Sequence, residues 1–221
     1  MGNTGFRNTL LGTLSAVMLV TGCASGGGEM KDEWLARVPQ EQMSGVESAR
    51  AGERQALDDV NRAEVAKGDA ERALEVAKSQ RDSAKSSLKA DETSLEAATA
   101  QGQAPGITSS TNALETGKLK SQAVDAQVVW REKDLAAAEA NIDLRREQVK
   151  VAEAQRKLAQ YQALRNTNDV RVKDYSENDF REALKDAQED AAEVQEKVSK
   201  LQAEAGDAKS EFDRLNGASA Q

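Results

Sequence analysis

From residue 49 to residue 98 the chain repeats small or apolar side chains at alternating steps of three and four. The positions are Ala49, Ala56, Val60, Ala63, Ala70, Leu74, Ala77, Ala84, Leu88, Leu95 and Ala98. A period of 3.5 held this long is the signature of a helix that must lie along another helix. Most of these residues are alanine, so the partner backbone can approach at the close end of the ~8–10 Å interaxial range. Glu53, Lys67, Arg81 and Asp91 interrupt the walk. Their long side chains are expected to reach past the seam into water, or else to fix register.

The same walk continues through Leu119, Ala123, Ala126, Trp130, Ala137, Ala140, Leu144, Val151, Ala154, Leu158 and Tyr161. It returns without interruption in Phe180, Leu184, Ala187, Ala191, Val194, Val198, Leu201, Ala205, Ala208, Phe212 and Leu215. The middle segment carries a second stripe on the roughly opposite face: Val124, Val128, Leu135, Ala138, Ile142, Val149, Ala152, Ala159 and Ala163. A helix apolar on two faces is sandwiched between partners. The expected fold class is therefore all-α, an elongated antiparallel helical hairpin or three-helix coiled coil with the second helix in the middle.

Start signals divide residues 44–215 into helices of about 44–100, 113–166 and 177–215, with a tail at 216–221. Ser44-Gly45-Val46-Glu47 fits a capping box, and Asn112-Ala113-Leu114-Glu115 and Ser176-Glu177-Asn178-Asp179 are analogous. The stretch 101–111, which contains Pro105-Gly106, reads as a turn, and Asn166-Thr167-Asn168-Asp169-Val170 as a weaker break. Reversal at Pro105-Gly106 pairs residues whose numbers sum to roughly 211. That register sets Leu74 beside Ala137, Val60 beside Val151, Leu88 beside Ala123 and Arg81 near Trp130, where a cation–π contact is available. Parallel copies meeting along the same seam in a homo-oligomer are the competing arrangement. Two helices of nearly equal length on either side of the turn favour the hairpin.

Composition removes most chemistries. The chain has no histidine, one cysteine, two tryptophans, two tyrosines and three phenylalanines. No metal, thiolate or cofactor site is expected, and no catalytic residue is assigned. The carboxylates recur with lysine and arginine at helical spacing, as in Glu71, Glu75 and Lys78, which is the pattern of solvated surface pairs. A net charge of −8 argues against nucleic acid, and nothing motivates a small-molecule substrate. An enzyme is not expected.

The N-terminus has the anatomy of an export signal. Arg7 precedes an apolar run from Thr9 to Val20, too short to span a bilayer, with small residues behind it. The run ends Leu19-Val20-Thr21-Gly22-Cys23. This segment resembles the lipobox of bacterial lipoproteins, with Val20, Thr21 and Gly22 as the signal-peptidase recognition residues and Cys23 as the lipidation site. The resemblance implies that residues 1–22 are removed and that Cys23 carries diacylglyceryl and acyl chains, the only group bound to the protein. Two or three chains anchor stably, since each buried methylene contributes ~0.8 kcal/mol. Loss of Arg7 leaves 29 basic against 38 acidic side chains, a balance of −9.

Ala24 follows the cysteine where an aspartate would imply retention in the inner membrane. The resemblance thus implies the outer membrane of a Gram-negative envelope, with the chain facing the periplasm. Residues 23–43 read as the lipidated cysteine and a tether, flexible by the composition of Ala24-Ser25-Gly26-Gly27-Gly28. Trp34 suits either the bilayer interface or a neighbouring helix. By the lipobox over residues 19–23, and by a heptad pattern of no family specificity over the rest, the chain resembles alanine-rich coiled-coil lipoproteins of that envelope. The expected function is a non-enzymatic, lipid-anchored spacer, scaffold or protein-docking element whose partners are the bilayer, through acylated Cys23, and a second copy or an envelope protein. The alternative is an accessory subunit of an export, efflux or cell-wall complex that contacts its partner through the 101–111 turn.

Overall fold

A computed structural model describes residues 30–219. Their core is three long helices, α1 (Gln40–Gln101), α2 (Ala104–Asn166) and α3 (Glu177–Ser219). Short 3-10 helices at Asp32–Arg37 and Val170–Val172 complete the regular structure among the described residues. At ~1.5 Å per residue, α1 and α2 are each about 93 Å long and α3 about 64 Å. Both α1 and α3 pack on α2 and neither touches the other. The fold is the all-α antiparallel coiled coil the heptads imply, with α2 in the middle.

The seams are where the period puts them. Every α1 position in the walk from Ala49 to Ala98 is at least partly buried, the polar Glu53, Lys67, Arg81 and Asp91 included. All eleven α3 positions from Phe180 to Leu215 are likewise covered. On α2 the first stripe is covered except at Leu119, and the second throughout.

The partners of the two α2 stripes are the reverse of the expected ones. Val128 and Leu135, from the second stripe, pack with Leu74 and Ala77 of α1. Ala140 and Leu144, from the first, pack with Val194, Val198 and Leu201 of α3. The hairpin register shifts accordingly. Lys85 pairs with Asp125 at 3.4 Å, Arg146 with Glu64 at 3.6 Å, Arg156 with Glu53 at 2.7 Å and Lys67 with Glu139 at 3.3 Å. These numbers sum to between 206 and 210 rather than 211. Trp130 faces α3 and stacks on Phe212 at 5.5 Å and 20°, not near Arg81, which sits beside Asp82. The Arg131 guanidinium lies 3.7 Å from the Trp130 ring centroid. Turning the opposite face of α2 toward α1 accounts for the difference.

The turn is also shorter than expected. Only Gly102 and Gln103 separate α1 from α2, so the 101–111 turn contracts to two residues. Gly102 closes α1 at φ 68°, a left-handed conformation that glycine adopts without a Cβ penalty. Pro105 falls in the first turn of α2, where a missing N–H costs nothing. Thr108 and Thr111 donate to the carbonyls of Ala104 and Ile107 and join the helix. Asn112 is thus interior and its capping box is not used.

Ser44 is interior too, because α1 starts after Pro39, and the segment expected to be tether up to residue 43 is structured from Asp32. The third start signal is used. Ser176 Oγ accepts from the Asn178 N–H at 3.2 Å as α3 begins. Asn168 takes a positive φ of 54° at the α2–α3 reversal, a conformation asparagine tolerates.

Candidate functional site

The lipidation site Cys23 and the recognition residues Val20, Thr21 and Gly22 lie outside the described residues. What can be placed is where the chain re-enters the fold after them. Met30 is buried in a cluster with Leu35, Val46, Tyr161, Ala163, Leu164, Val172 and Phe180. These residues come from the N-terminal segment, the start of α1, the end of α2, the following loop and the start of α3. They form a base at one end of the rod, and the Gly102-Gln103 turn lies at the other.

Polar contacts bind the N-terminal segment to this base. Gln160 is fully buried on α2. Its amide donates to Asp32 at 2.7 Å and accepts from Arg156 at 3.3 Å. Asp32 also accepts from Arg50 at 2.8 Å, and Arg156 pairs with Glu53. The chain of five side chains ties the 3-10 segment Asp32–Arg37 to α1 and α2. A buried amide with both its groups paired is a specific clasp, because leaving either unpaired would cost ~1–3 kcal/mol.

A second clasp comes from the α2–α3 loop. Asp169 caps the 3-10 helix Val170–Val172 and accepts from the Arg171 backbone N–H at 2.9 Å and from its Nε at 2.8 Å. Arg171 donates onward to the Trp34 carbonyl at 3.1 Å, and its guanidinium lies 5.4 Å from the Trp34 ring. The Arg171 guanidinium and N–H, with Arg37 nearby, hold the Asp169 carboxyl down at about 2. Trp34 is half-buried and meets Tyr175 edge-on at 6.4 Å. Of its two expected placements, it takes the packed one. Sequence reasoning missed both clasps. Asp169-Val170-Arg171 carried a capping signal hidden in what read as a weak break.

Along the shaft, ion pairs replace the expected snorkelling. Lys67 bridges Glu71 and Glu139, first the one on its own helix and then the one across the seam, and both raise its pKa. Lys133 joins α2 to Glu204 of α3 at 3.0 Å and lowers that carboxyl. Beyond α3 the rod thins. Seven residues separate the Trp130–Phe212 stack from Ser219, so α3 ends opposite about residue 123. Leu119, on the α3-facing stripe past that point, is 39% exposed. The distal ~28 Å is a two-helix hairpin. There a shallow groove of about 410 Å³ lies between Ala84, Ser87 and Asp91 of α1 and Asn112, Thr116 and Lys120 of α2. It presents one carboxylate, one ammonium and three small polar side chains, which is not a constellation for acid–base or nucleophilic chemistry.

Among the described residues, no group of three or more Cys, Asp or Glu side chains is placed to hold a metal ion. No described helix is long and apolar enough to cross a membrane. Comparison with protein-family models, with curated proteins and with solved structures finds no match to this chain.

Proposed function

We propose that the protein is a non-enzymatic lipoprotein, anchored through acylated Cys23 in the outer membrane and projecting its coiled coil into the periplasm as a spacer, scaffold or docking element. The observation that carries this reading is the position of Met30. It is seven residues after Cys23 and is buried in the base, at the end of the rod opposite the Gly102-Gln103 turn. An anchor at Cys23 therefore holds the base, and the turn stands about 90 Å away. The exposed surface of the shaft is mostly charged or small, with Leu57, Val65, Val76, Leu119 and Val129 as scattered apolar exceptions, as suits a solvated spacer.

Metabolic palmitate labelling of wild type against Cys23→Ser, with membrane fractionation, tests the reading. Label and membrane association are expected in wild type and lost in the variant. Label that persists on the serine variant refutes lipidation at Cys23.

A further inference from the structure

The covalent reach from Cys23 to the base limits where the base can be. Seven residue steps span no more than about 25 Å at full extension, less than a third of the rod. An anchored chain keeps its base beside the bilayer surface whatever the shaft does.

That end of the molecule differs from the rest. Residues 30–38 and 165–177 hold five basic side chains (Lys31, Arg37, Arg165, Arg171, Lys173) and five acidic ones (Asp32, Glu33, Asp169, Asp174, Glu177). These two segments are balanced in a chain whose portion from Cys23 carries −9, and Glu41, Glu47 and Asp179 adjoin them at the starts of α1 and α3. Three of the five carboxylates are paired, Asp32 with Arg50, Asp169 with Arg171 and Glu177 with Arg165 and Arg181, while Glu33 and Asp174 make no ion pair among the described residues. Lys31, Arg37 and Lys173 make no ion pair among the described residues. At the same end, in the α2–α3 loop, is Val170, a β-branched apolar side chain that is 67% exposed.

We infer that this base is itself a membrane-contact surface, in which Val170 enters the headgroup region of an anionic phospholipid bilayer and Lys31, Arg37 and Lys173 meet its phosphates. The inference rests on the anchor at Cys23 and adds a second, non-covalent contact to it. Screening confines the attraction to within about 10 Å of the surface, a distance the tether lets the base reach while an upright shaft extends beyond it. The acidic shaft is repelled by the same surface. Attraction at the end and repulsion along the side together stand the rod upright.

Because the only native cysteine is the acylated one, an added cysteine gives a single free thiol. Lipidated Val170→Cys and Gln103→Cys proteins, each labelled with the environment-sensitive fluorophore NBD, are reconstituted into vesicles of phosphatidylethanolamine and phosphatidylglycerol that contain nitroxide-labelled lipid. The expected result is a blue shift and quenching at position 170 and neither at 103. Added Lys31→Glu and Lys173→Glu substitutions, or phosphatidylcholine in place of the anionic mixture, abolish the quenching. Equal quenching on phosphatidylcholine refutes the charge contact, and quenching at both positions means a rod lying flat, which also refutes the inference. If the protein floats with the vesicles but position 170 stays as unquenched as 103, the base contact is wrong and the anchor stands. If it does not float with them at all, both are wrong.

Discussion

Truncating Leu164 tests whether the rod's stability is concentrated at its base. Leu164 is fully buried, enclosed by Met30, Leu35, Val46, Tyr161, Val172 and Phe180 from five separate stretches of chain. Leu→Ala removes three carbons, about 2.4 kcal/mol of transfer free energy at ~0.8 kcal/mol per methylene. A wall built from five segments cannot collapse onto the gap, so a cavity cost is added and the total is about 3–4 kcal/mol. Leu74 is the control. It is 9% exposed and clusters with Ala77 of its own helix and with Val128 and Leu135 across one two-helix seam. Water and the small neighbours can close on that site, which puts Leu74→Ala near 2 kcal/mol. For a chain of this size ~2–4 °C per kcal/mol translates these into losses of about 10 °C and about 5 °C. Thermal and urea unfolding, followed by far-ultraviolet circular dichroism, give the comparison. Hydrogen exchange shows where protection goes, and in Leu164→Ala it should fall first in Asp32–Arg37 and the α2–α3 loop. Equal costs at the two sites, or a larger one at Leu74, would refute the idea that the base carries more than the seam.

Gly45, Gly52 and Gly206 sit inside helices with open space where a Cβ would go. Alanine at each should therefore stabilise by about 0.5–1 kcal/mol in the same melts. Gly117 is the contrast, since its Cβ would lie 2.8 Å from Asp91 Oδ2 and 3.3 Å from Leu88 Cδ1. Gly117→Ala should show no gain, and a full gain there would mean the distal seam is looser than described. Acid should loosen the base in a particular window. Asp169 is held at about 2 in the fold, below the ~4 of an unfolded carboxyl. The unfolded chain therefore takes up its proton first as pH falls, and the stability present above pH ~4 is lost between there and about 2. The melting temperature of Asp169→Asn should depend less steeply on pH across that window than wild type, and identical slopes would exclude Asp169 as a contributor.

The architecture was legible in the sequence wherever a single heptad seam existed. In α1 and α3 the period alone located the covered positions, and even Glu53 and Lys67 sit on the seam. They pair there instead of escaping it, because Arg156 and Glu139 come within reach across the gap. In α2 the period revealed two stripes but carried no label for which helix each would meet, and the register inherited that ambiguity. The 101–111 turn misled for a different reason. Ser, Thr, Asn and Pro suit loops, yet Pro105 is harmless in a first helical turn and threonine hydroxyls can bond back to the preceding turn. Once Gly102 reverses the chain, packing on α1 outweighs their weak propensity. The base was illegible, since the clasp of Asp32, Gln160 and Arg156 joins residues more than a hundred positions apart.

The separation of α1 from α3 has a mechanical consequence. Three helices side by side, with the outer two never in contact, make a lath and not a cylinder. Such a section is stiff against bending within its plane and compliant across its thin direction, and it narrows to two helices over its last stretch. A protein of this shape would yield to side load in one direction only, and would flex most where α3 stops.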